Sequence, residues 1–208
     1  MKNSKIVIVD YGMGNLRSVQ KAFEACGASA QITSKPKDLE KASKIVLPGV
    51  GAFAHAMNEL KKRKLIEVLK NKVRSGAPYL GICLGLQLLF SESEEGGRVK
   101  GLGLISGHVV KFKTKLKIPH MGWNTLQTSK KNCPILEKIK PRDYFYFVHS
   151  FFGIPEDRSL ILSQTGYGQN FCSALWKGNL FATQFHPEKS QEPGLQIIKN
   201  FIRFSPKD

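Results

Sequence analysis

The strongest constraint on the fold of this 208-residue chain is a cysteine between a short apolar run and the start of a predicted helix. Residues 78–82 are typical of a buried strand, and residues 84–90 of a helix that begins directly after Cys83. A strand, a sharp turn and a helix place the turn residue at the tip of an elbow in an α/β sheet. Gly81 and Gly85 fit such an elbow, because they let the two backbones approach where a Cβ would clash.

The first half of the chain alternates predicted strands with predicted helices. Residues 6–9, 30–33 and 45–47 are short strand-like runs. Asn15 can cap a helix that ends at Gly27, and a second apolar-striped helix runs from about residue 65 to 73. This alternation predicts a parallel sheet that is covered by helices on both faces.

From about residue 101 the pattern changes to short strands separated by turn residues, followed by a final helix over residues 194–204. These strands include an alternating lysine-rich run at residues 111–117. We therefore predict an α/β fold with a mostly parallel sheet flanked by helices and with antiparallel strand additions in the C-terminal half. No linker or repeat divides the chain, so residues 1–208 are predicted to form a single domain.

Cys83 is the candidate nucleophile. The carboxyl end of a strand in a parallel sheet is where ligands of such sheets bind. A helix that begins behind the cysteine would aim its N–H groups at the sulfur and increase the thiolate fraction. The alternative is a buried, inert cysteine in a core strand.

The second candidate segment is residues 182–189, in which His186 and Glu188 stand two apart at the end of a strand-like run. Both side chains can then project to the same side, and Pro187 stiffens the bend between them. Cysteine catalysis needs a base and a group that orients the base. A metal site or a structural histidine are the alternatives, but no third ligand stands nearby. Together with Cys83 the pair predicts a Cys–His–Glu triad.

Several longer segments carry a family resemblance. They are residues 10–18, 47–53, 81–87, 119–124, 146–150 and 184–190. With the triad segments they resemble the class I, triad-type glutamine amidotransferases, over nearly the whole chain. Within that family they resemble a histidine-pathway branch that delivers ammonia to a separate synthase.

The resemblance implies hydrolysis of glutamine to glutamate and ammonia without a cofactor. The scattered single cysteines predict a cytoplasmic location, because they suit a reducing compartment. The ammonia would pass to a (β/α)₈ synthase (cyclase) subunit in a heterodimer, which makes imidazole glycerol phosphate and an aminoimidazole carboxamide ribotide. Trp123, Asn124, Tyr146 and Lys189 would lie on the docking face. Exposed Trp and Tyr are plausible interface anchors, although core aromatics are the alternative.

Hydrolysis of an amide also needs donors for the tetrahedral oxyanion. The N–H of Leu84 is one candidate, and the loop of Gly49, Val50 and Gly51 offers others because its glycines let peptide planes turn toward the substrate. Gly49 is also assigned to the substrate site. Gln87, polar in an apolar stretch, is predicted to contact the substrate, the alternative being an ordinary helix residue.

The charge of +16, from 32 Lys and Arg against 16 Asp and Glu, is unusual. It can reflect a solvated surface, an acidic partner or phosphorylated substrate, or nucleic acid. We favour the surface and expect no nucleic acid, because no nucleic-acid motif accompanies the charges. No apolar run is long enough for a membrane span, so no membrane is expected either. The other cysteines, 26, 133 and 172, have no metal spacing, and we interpret them as structural and expect no metal.

Three other functions remain open. A paralogous glutaminase branch supplies ammonia for amidine formation on bacterial surface sugars, and the strong positive charge and the elbow sequence with Leu86 leave it open. The second is a related cysteine hydrolase or peptidase on the same type of fold, and the His-Pro-Glu segment argues against it because that segment supplies the third triad member locally. A non-enzymatic basic binding module is the third.

Overall fold

The computed structural model describes residues 5–129 and 132–206, so the Lys130–Lys131 pair of the basic surface lies outside the described residues. The helices are α1 (Leu16–Ala25), α2 (Pro36–Glu40), α3 (Phe53–Lys62), α4 (Leu65–Arg74), α5 (Leu84–Gln87) and α6 (Gln191–Arg203). The strands are β1 (Ile6–Val9), β2 (Ala30–Thr33), β3 (Lys44–Gly49), β4 (Tyr79–Cys83), β5 (Phe90–Ser93), β6 (Val99–Lys100), β7 (Ile105–Lys111), β8 (His120–Thr125), β9 (Gln127–Thr128), β10 (Tyr144–His149), β11 (Phe151–Pro155), β12 (Ile161–Gly166), β13 (Asn170–Lys177) and β14 (Leu180–Thr183).

The main sheet has eight strands in the order β2-β1-β3-β4-β14-β13-β12-β9. Its first five strands are parallel, and the last three are added in antiparallel pairing. A four-stranded sheet, β11-β7-β5-β6, and the β10–β8 pair complete the strands. The predicted fold class, a mostly parallel sheet with antiparallel additions in the second half, is confirmed.

Alternate residues of the central strands are buried on opposite faces of the sheet. Ile6 and Ile8 pack on the face covered by α1 and α6, whereas Val7 and Val9 pack on the face covered by α2, α3 and α4. Strands buried on both faces are apolar throughout, which is why periodicity of two is absent from the first half of the sequence. None of the helices in the described ranges is long and apolar enough to cross a bilayer.

The local signals at α1 are confirmed, and two other element predictions are wrong. The side chain of Asn15 accepts a hydrogen bond of 3.2 Å from the N–H of Ser18, as expected of an N-cap. The helix after the elbow ends at Gln87 rather than at residue 90, because Phe90 already begins β5. The lysine-rich strand ends at Lys111, and residues 112–119 are irregular.

Candidate active site

Three neighbouring strands of the main sheet bring the candidate residues to one edge. Gly49, the last residue of β3, pairs in register with Cys83, the last residue of β4. On the other side of β4, Thr183 at the end of β14 pairs with Ile82. The predicted oxyanion loop, the cysteine and the His-Pro-Glu segment therefore leave the sheet side by side, because parallel strands end at the same edge.

The backbone at Cys83 is strained. Cys83 has φ 55 and ψ −108, a conformation that non-glycine residues rarely adopt. The two flanking glycines make the sharp turn possible: a Cβ on Gly81 would lie 2.7 Å from the carbonyl oxygen of Gly85, and one on Gly85 would lie 1.8 Å from that of Leu47. The strain and close packing are those of a strand–turn–helix elbow with a side chain at its tip.

A cavity of about 440 Å³ opens at this elbow. Residues from the loop, the elbow, the end of β10 and the start of β11 line it: Val50, Gly51, Cys83, Leu84, Gln87, Glu95, Pro119, Val148, His149, Ser150 and Phe151. Its size suits a small polar substrate. The three other cysteines, at positions 26, 133 and 172, do not line it.

His186 and Glu188 form a buried pair. His186 Nδ1 lies 2.7 Å from Glu188 Oε1, and each side chain is only 3% exposed. A neutral or protonated imidazole donates from Nδ1 to the carboxylate, which leaves Nε2 for another partner. Nε2 has no hydrogen-bond partner within residues 5–129 and 132–206. Burial alone lowers the pKa of His186, but the nearby Cys83 sulfur and Glu188 outweigh it and raise the pKa above the usual imidazole value.

A tight turn, and not strand alternation, brings this pair together. β14 ends at Thr183, and Pro187–Lys189 form one turn of 3₁₀-helix. His186 and Glu188 do meet, as predicted, but the predicted reason is wrong, because the two residues do not lie on one side of a strand. Pro187 opens the turn, where its missing N–H and fixed φ cost nothing.

The loop after β3 has the conformational freedom that its glycines suggest. Gly51 has φ +94, and Val50 is exposed. A Cβ on Gly49 would lie 2.0 Å from the hydroxyl oxygen of Tyr11, so that only glycine fits there. This hydroxyl is buried and has no hydrogen-bond partner among the described residues.

Several cavity residues were not among those predicted from the sequence. Glu95 and Ser150 line the cavity, as does His149, and Gln184 lies beside the sulfur of Cys83. Gln184 could have been singled out, because it is a polar residue in an otherwise apolar run directly before His186. Glu95 gave no signal, since charged residues are common after a strand.

The β8–β10 pair exposes an apolar face. Met121 is 63% exposed, Trp123 45% and Tyr144 57%. Tyr146 pairs in register with Trp123, and their rings are 5.9 Å apart. Lys189 extends this face, with its Nζ 5.8 Å from the centre of the Tyr146 ring. We call Met121, Trp123, Tyr144, Tyr146 and Val148 the docking face.

Asn124 does not share this face. Strand alternation turns it to the opposite side of β8, where its Nδ2 donates a 3.0 Å hydrogen bond to the carbonyl oxygen of Gly166. Of the four residues predicted at an interface, Trp123, Tyr146 and Lys189 lie together and Asn124 lies behind them.

The described residues contain no group of three or more His, Cys, Asp or Glu side chains arranged to hold a metal ion. The Cys83 thiol, with the His186 imidazole near it and the Glu188 carboxylate behind that ring, offers the chemistry of nucleophilic attack and proton transfer.

The fold and this arrangement of thiol, imidazole and carboxylate are those of a cysteine-dependent amidotransferase. The chain belongs to the glutamine amidotransferase class-I family, whose model matches residues 7–204. Solved structures agree on the fold. The crystal structure of a glutamine amidotransferase superimposes with a TM-score of 0.74 at 18% sequence identity. The superposition covers 94% of this chain and 98% of the chain in that structure. A chain of the PurLQS structure from Thermotoga maritima superimposes with a TM-score of 0.74 at 18% sequence identity, over 96% of this chain and 98% of that one.

Relatives found by sequence point to one branch of this family. The chain is 51% identical to imidazole glycerol phosphate synthase subunit HisH of Syntrophotalea carbinolica, over 94% of this chain and 98% of the relative. It is 48% identical to the same-named subunit of Aquifex aeolicus, with 98% of each covered. The subunit of Methanocaldococcus jannaschii is 51% identical, over 95% of this chain and 98% of the relative.

Proposed function

We propose that this chain is the glutaminase subunit of an imidazole glycerol phosphate synthase in histidine biosynthesis. It hydrolyses the side-chain amide of glutamine and supplies the ammonia to a (β/α)₈ synthase subunit, with which it forms a heterodimer. The observation that carries the proposal is the placement of three segments at one edge of the sheet. Cys83 and the Gly49–Val50–Gly51 loop lie at the ends of two paired strands, and the buried His186–Glu188 pair follows the neighbouring strand β14. Identity of about half along the whole chain to HisH subunits supports the choice of pathway.

In the first half of the reaction, Cys83 Sγ attacks the carboxamide carbon of glutamine. His186 takes the thiol proton on Nε2, the nitrogen that has no other partner in the described structure. It then gives this proton to the departing nitrogen, so that the C–N bond breaks, ammonia leaves and a thioester remains on Cys83. Glu188 holds the ring by Nδ1 and stabilises the imidazolium.

In the second half, His186 removes a proton from water as the water oxygen attacks the thioester carbon. The C–S bond then breaks, glutamate leaves, and the proton returns to the sulfur. Both halves pass through a tetrahedral oxyanion. We propose the N–H of Leu84 and an N–H of the loop at Val50 or Gly51 as its donors, since all three residues line the cavity.

Substrate recognition is proposed for the polar residues on the far side of the cavity. A free amino acid carries an ammonium group, and the Glu95 carboxylate is the acidic side chain that lines this cavity. Gln87 uses its nitrogen within the protein, so its oxygen is the atom left for substrate. Gly49 contributes by keeping the loop close to the elbow and not by side-chain contact.

The docking face is proposed to bind the synthase subunit. Met121, Trp123 and Tyr144 form an exposed apolar patch of the kind found at the centre of protein interfaces. The face lies on the strand pair that also borders the cavity, through Val148 and His149. Ammonia made at Cys83 would thus be released near the partner. A cytoplasmic location stays a prediction, and no observation favours the surface-sugar pathway.

The test of this function is glutamine turnover by the chain alone, with the synthase subunit, and with that subunit and its acceptor substrate. We expect weak activity alone and strong activity in the full system, with glutamate and the synthase products formed in equal amounts. Absence of glutamine hydrolysis in all three would overturn the proposal. Turnover only with a surface-sugar amidotransferase would instead establish the paralogous pathway.

A further inference from the structure

A buried amide faces the sulfur of Cys83. The side chain of Gln184 is fully buried, and its Nε2 donates to Cys83 Sγ over 3.7 Å, a hydrogen-bond distance for sulfur. Burial of an amide is unfavourable unless its donors and acceptor are used. A polar residue at this point, directly after β14, therefore needs a role that an apolar residue could not fill.

Gln87 determines which end of the Gln184 amide faces the sulfur. Gln87 Nε2 donates to Gln184 Oε1 over 3.1 Å and to the carbonyl oxygen of Phe151 over 2.8 Å. A carbonyl oxygen can only accept, so the nitrogen of Gln87 must lie on this side. The oxygen of Gln184 then faces Gln87, and its N–H faces Cys83. The reverse orientation would place an oxygen against the sulfur.

The same carbonyl fixes the protons of two buried histidines. His149 Nδ1 lies 2.8 Å from the oxygen of Phe151 and must donate to it. His149 Nε2 is then an acceptor, so that His120 Nδ1, 3.1 Å away, donates to it. His120 Nε2 accepts in turn from Asn124 Nδ2 at 3.4 Å. Every donor and acceptor is matched only when both rings are neutral, and burial lowers both pKa values, to about 3 for His149 and about 4 for His120.

This chain of hydrogen bonds begins beneath the docking face. His120 and Asn124 lie on the inner side of β8, whose outer side carries Met121 and Trp123. The hydrogen bonds connect β8 to Gln184 through His149, the carbonyl oxygen of Phe151 and Gln87.

We propose that Gln184 is a catalytic residue that stabilises the thiolate of Cys83 by an N–H···S hydrogen bond, and that His120 and His149 are positioning residues that keep its amide aimed at the sulfur. The inference rests on the proposed glutaminase function for its meaning, although its test does not need glutamine. The four-residue α5 is too short to have a large dipole, so it stabilises the thiolate little. A hydrogen-bond donor beside the sulfur supplies this stabilisation instead.

Other titratable groups also face the sulfur, and they stay in place in the variants below. They are His186 with Glu188 behind it after β14, His149 on β10, Glu95 after β5 and Tyr11 after β1. The comparison of variants therefore isolates the amide.

The experiment measures the alkylation rate of Cys83 by iodoacetamide as a function of pH, read on the Cys83 peptide by mass spectrometry. In Gln184→Met, which keeps the side-chain length and removes the donor, we expect the midpoint of the profile to rise by about one pH unit. Gln127→Met, on exposed β9, is the matched control and should leave the midpoint unchanged. An unchanged midpoint in a folded Gln184→Met protein overturns the role of Gln184.

Two further variants keep the proposal testable. Gln184→Asn retains a buried amide but withdraws it by one methylene. It should raise the midpoint even if Gln184→Met does not fold, and no rise overturns the proposal. His120→Phe breaks the chain farther from the sulfur, at a ring that does not line the cavity, and should move the midpoint in the same direction by less. If it does not, the link to the docking face is wrong. A wild-type chain that fails to hydrolyse glutamine with its partner would overturn the proposed function and leave the alkylation result standing.

Discussion

The backbone N–H of His186 donates a 2.9 Å hydrogen bond to the carbonyl oxygen of Tyr146. Ser190 closes a second connection: the N–H of Tyr146 donates to its Oγ over 3.0 Å, and that Oγ donates to the oxygen of His186 over 2.6 Å. The proposed base is therefore held by the main chain of a residue whose side chain lies on the docking face. A partner that bound this face would contact the strand whose backbone positions His186.

Replacement of Cys83 by alanine tests the nucleophile. Because the thiol forms the proposed thioester, Cys83→Ala should abolish glutamine-dependent synthesis while the synthase subunit still runs on added ammonium salts. Alanine retains the Cβ and the backbone at the elbow, so the fold and the complex should survive. The measurement is product formation with glutamine and with ammonium. Glutamine hydrolysis within about tenfold of wild type would exclude Cys83 as the nucleophile.

The His186–Glu188 pair should show a graded loss. His186→Ala removes the only proposed proton carrier and should cost kcat nearly as much as Cys83→Ala. Glu188→Gln keeps a side chain of the same size and should cost less, because Glu188 orients the ring without touching substrate. The double variant Cys83→Ala/His186→Ala should be no worse than either single variant, since residues that act in one step are not additive. Fully additive losses would contradict a shared proton transfer.

The elbow was the most predictable part of this protein. Cys83 between two glycines could be assigned from the sequence because backbone contact at Gly81 and Gly85 is a local requirement. Asn15 and the parallel strands were predictable for the same reason, since caps and apolar runs act over a few residues.

The remainder of the site could not be predicted, because it depends on which distant segments meet. The short α5 is followed by β5, whose residues pair with β6 and β7, two strands that come later in the chain. The pairing of β8 with β10 turns the side chain of Asn124 inward. No local sequence pattern determines which of the two faces of β8 is the inner one. The order of donors from Asn124 to Gln184 exists only after four separate segments pack together.

Acid should destabilise the fold through the two buried histidines. Both have pKa values below the ordinary 6.5, about 4 for His120 and about 3 for His149. Between those values and pH 6.5 the unfolded chain binds protons that the folded protein does not, so the free energy of unfolding falls as pH falls through this window. At pH 4.5 each histidine should remove roughly 2 kcal/mol.

Urea unfolding at pH 6.5 and 4.5 measures this loss. In His120→Phe the loss between the two pH values should be smaller by roughly 2 kcal/mol than in wild type. His55→Gln is the control, because His55 is exposed and its replacement should leave the loss unchanged. Equal losses in wild type and His120→Phe would show that the buried ring does not carry the effect.

The loop after β3 is the remaining element on which coupling to the partner is predicted to depend. If one of its peptides points away from the cavity in the free chain, the oxyanion lacks a donor, which is worth roughly 10²–10³ in rate. Partner binding, and more so its acceptor, should shift the loop toward the arrangement with the donor in place. Gly51 has φ +94, where a β-branched residue is strongly disfavoured. Gly51→Val should therefore lower the stimulated kcat by about 10² and the basal rate by only a few fold.

The measurement compares glutamine turnover by the chain alone, with the synthase subunit, and with that subunit plus acceptor, for wild type and Gly51→Val. Gly27→Val is the matched control: Gly27 also has a positive φ, +81, but it lies at the end of α1, and a Cβ added there would meet no atom within 4 Å. The control should lose stability without losing the ratio of stimulated to basal rate. Equal wild-type rates in all three conditions would eliminate the switch, because a loop that is always competent leaves nothing for the partner to change.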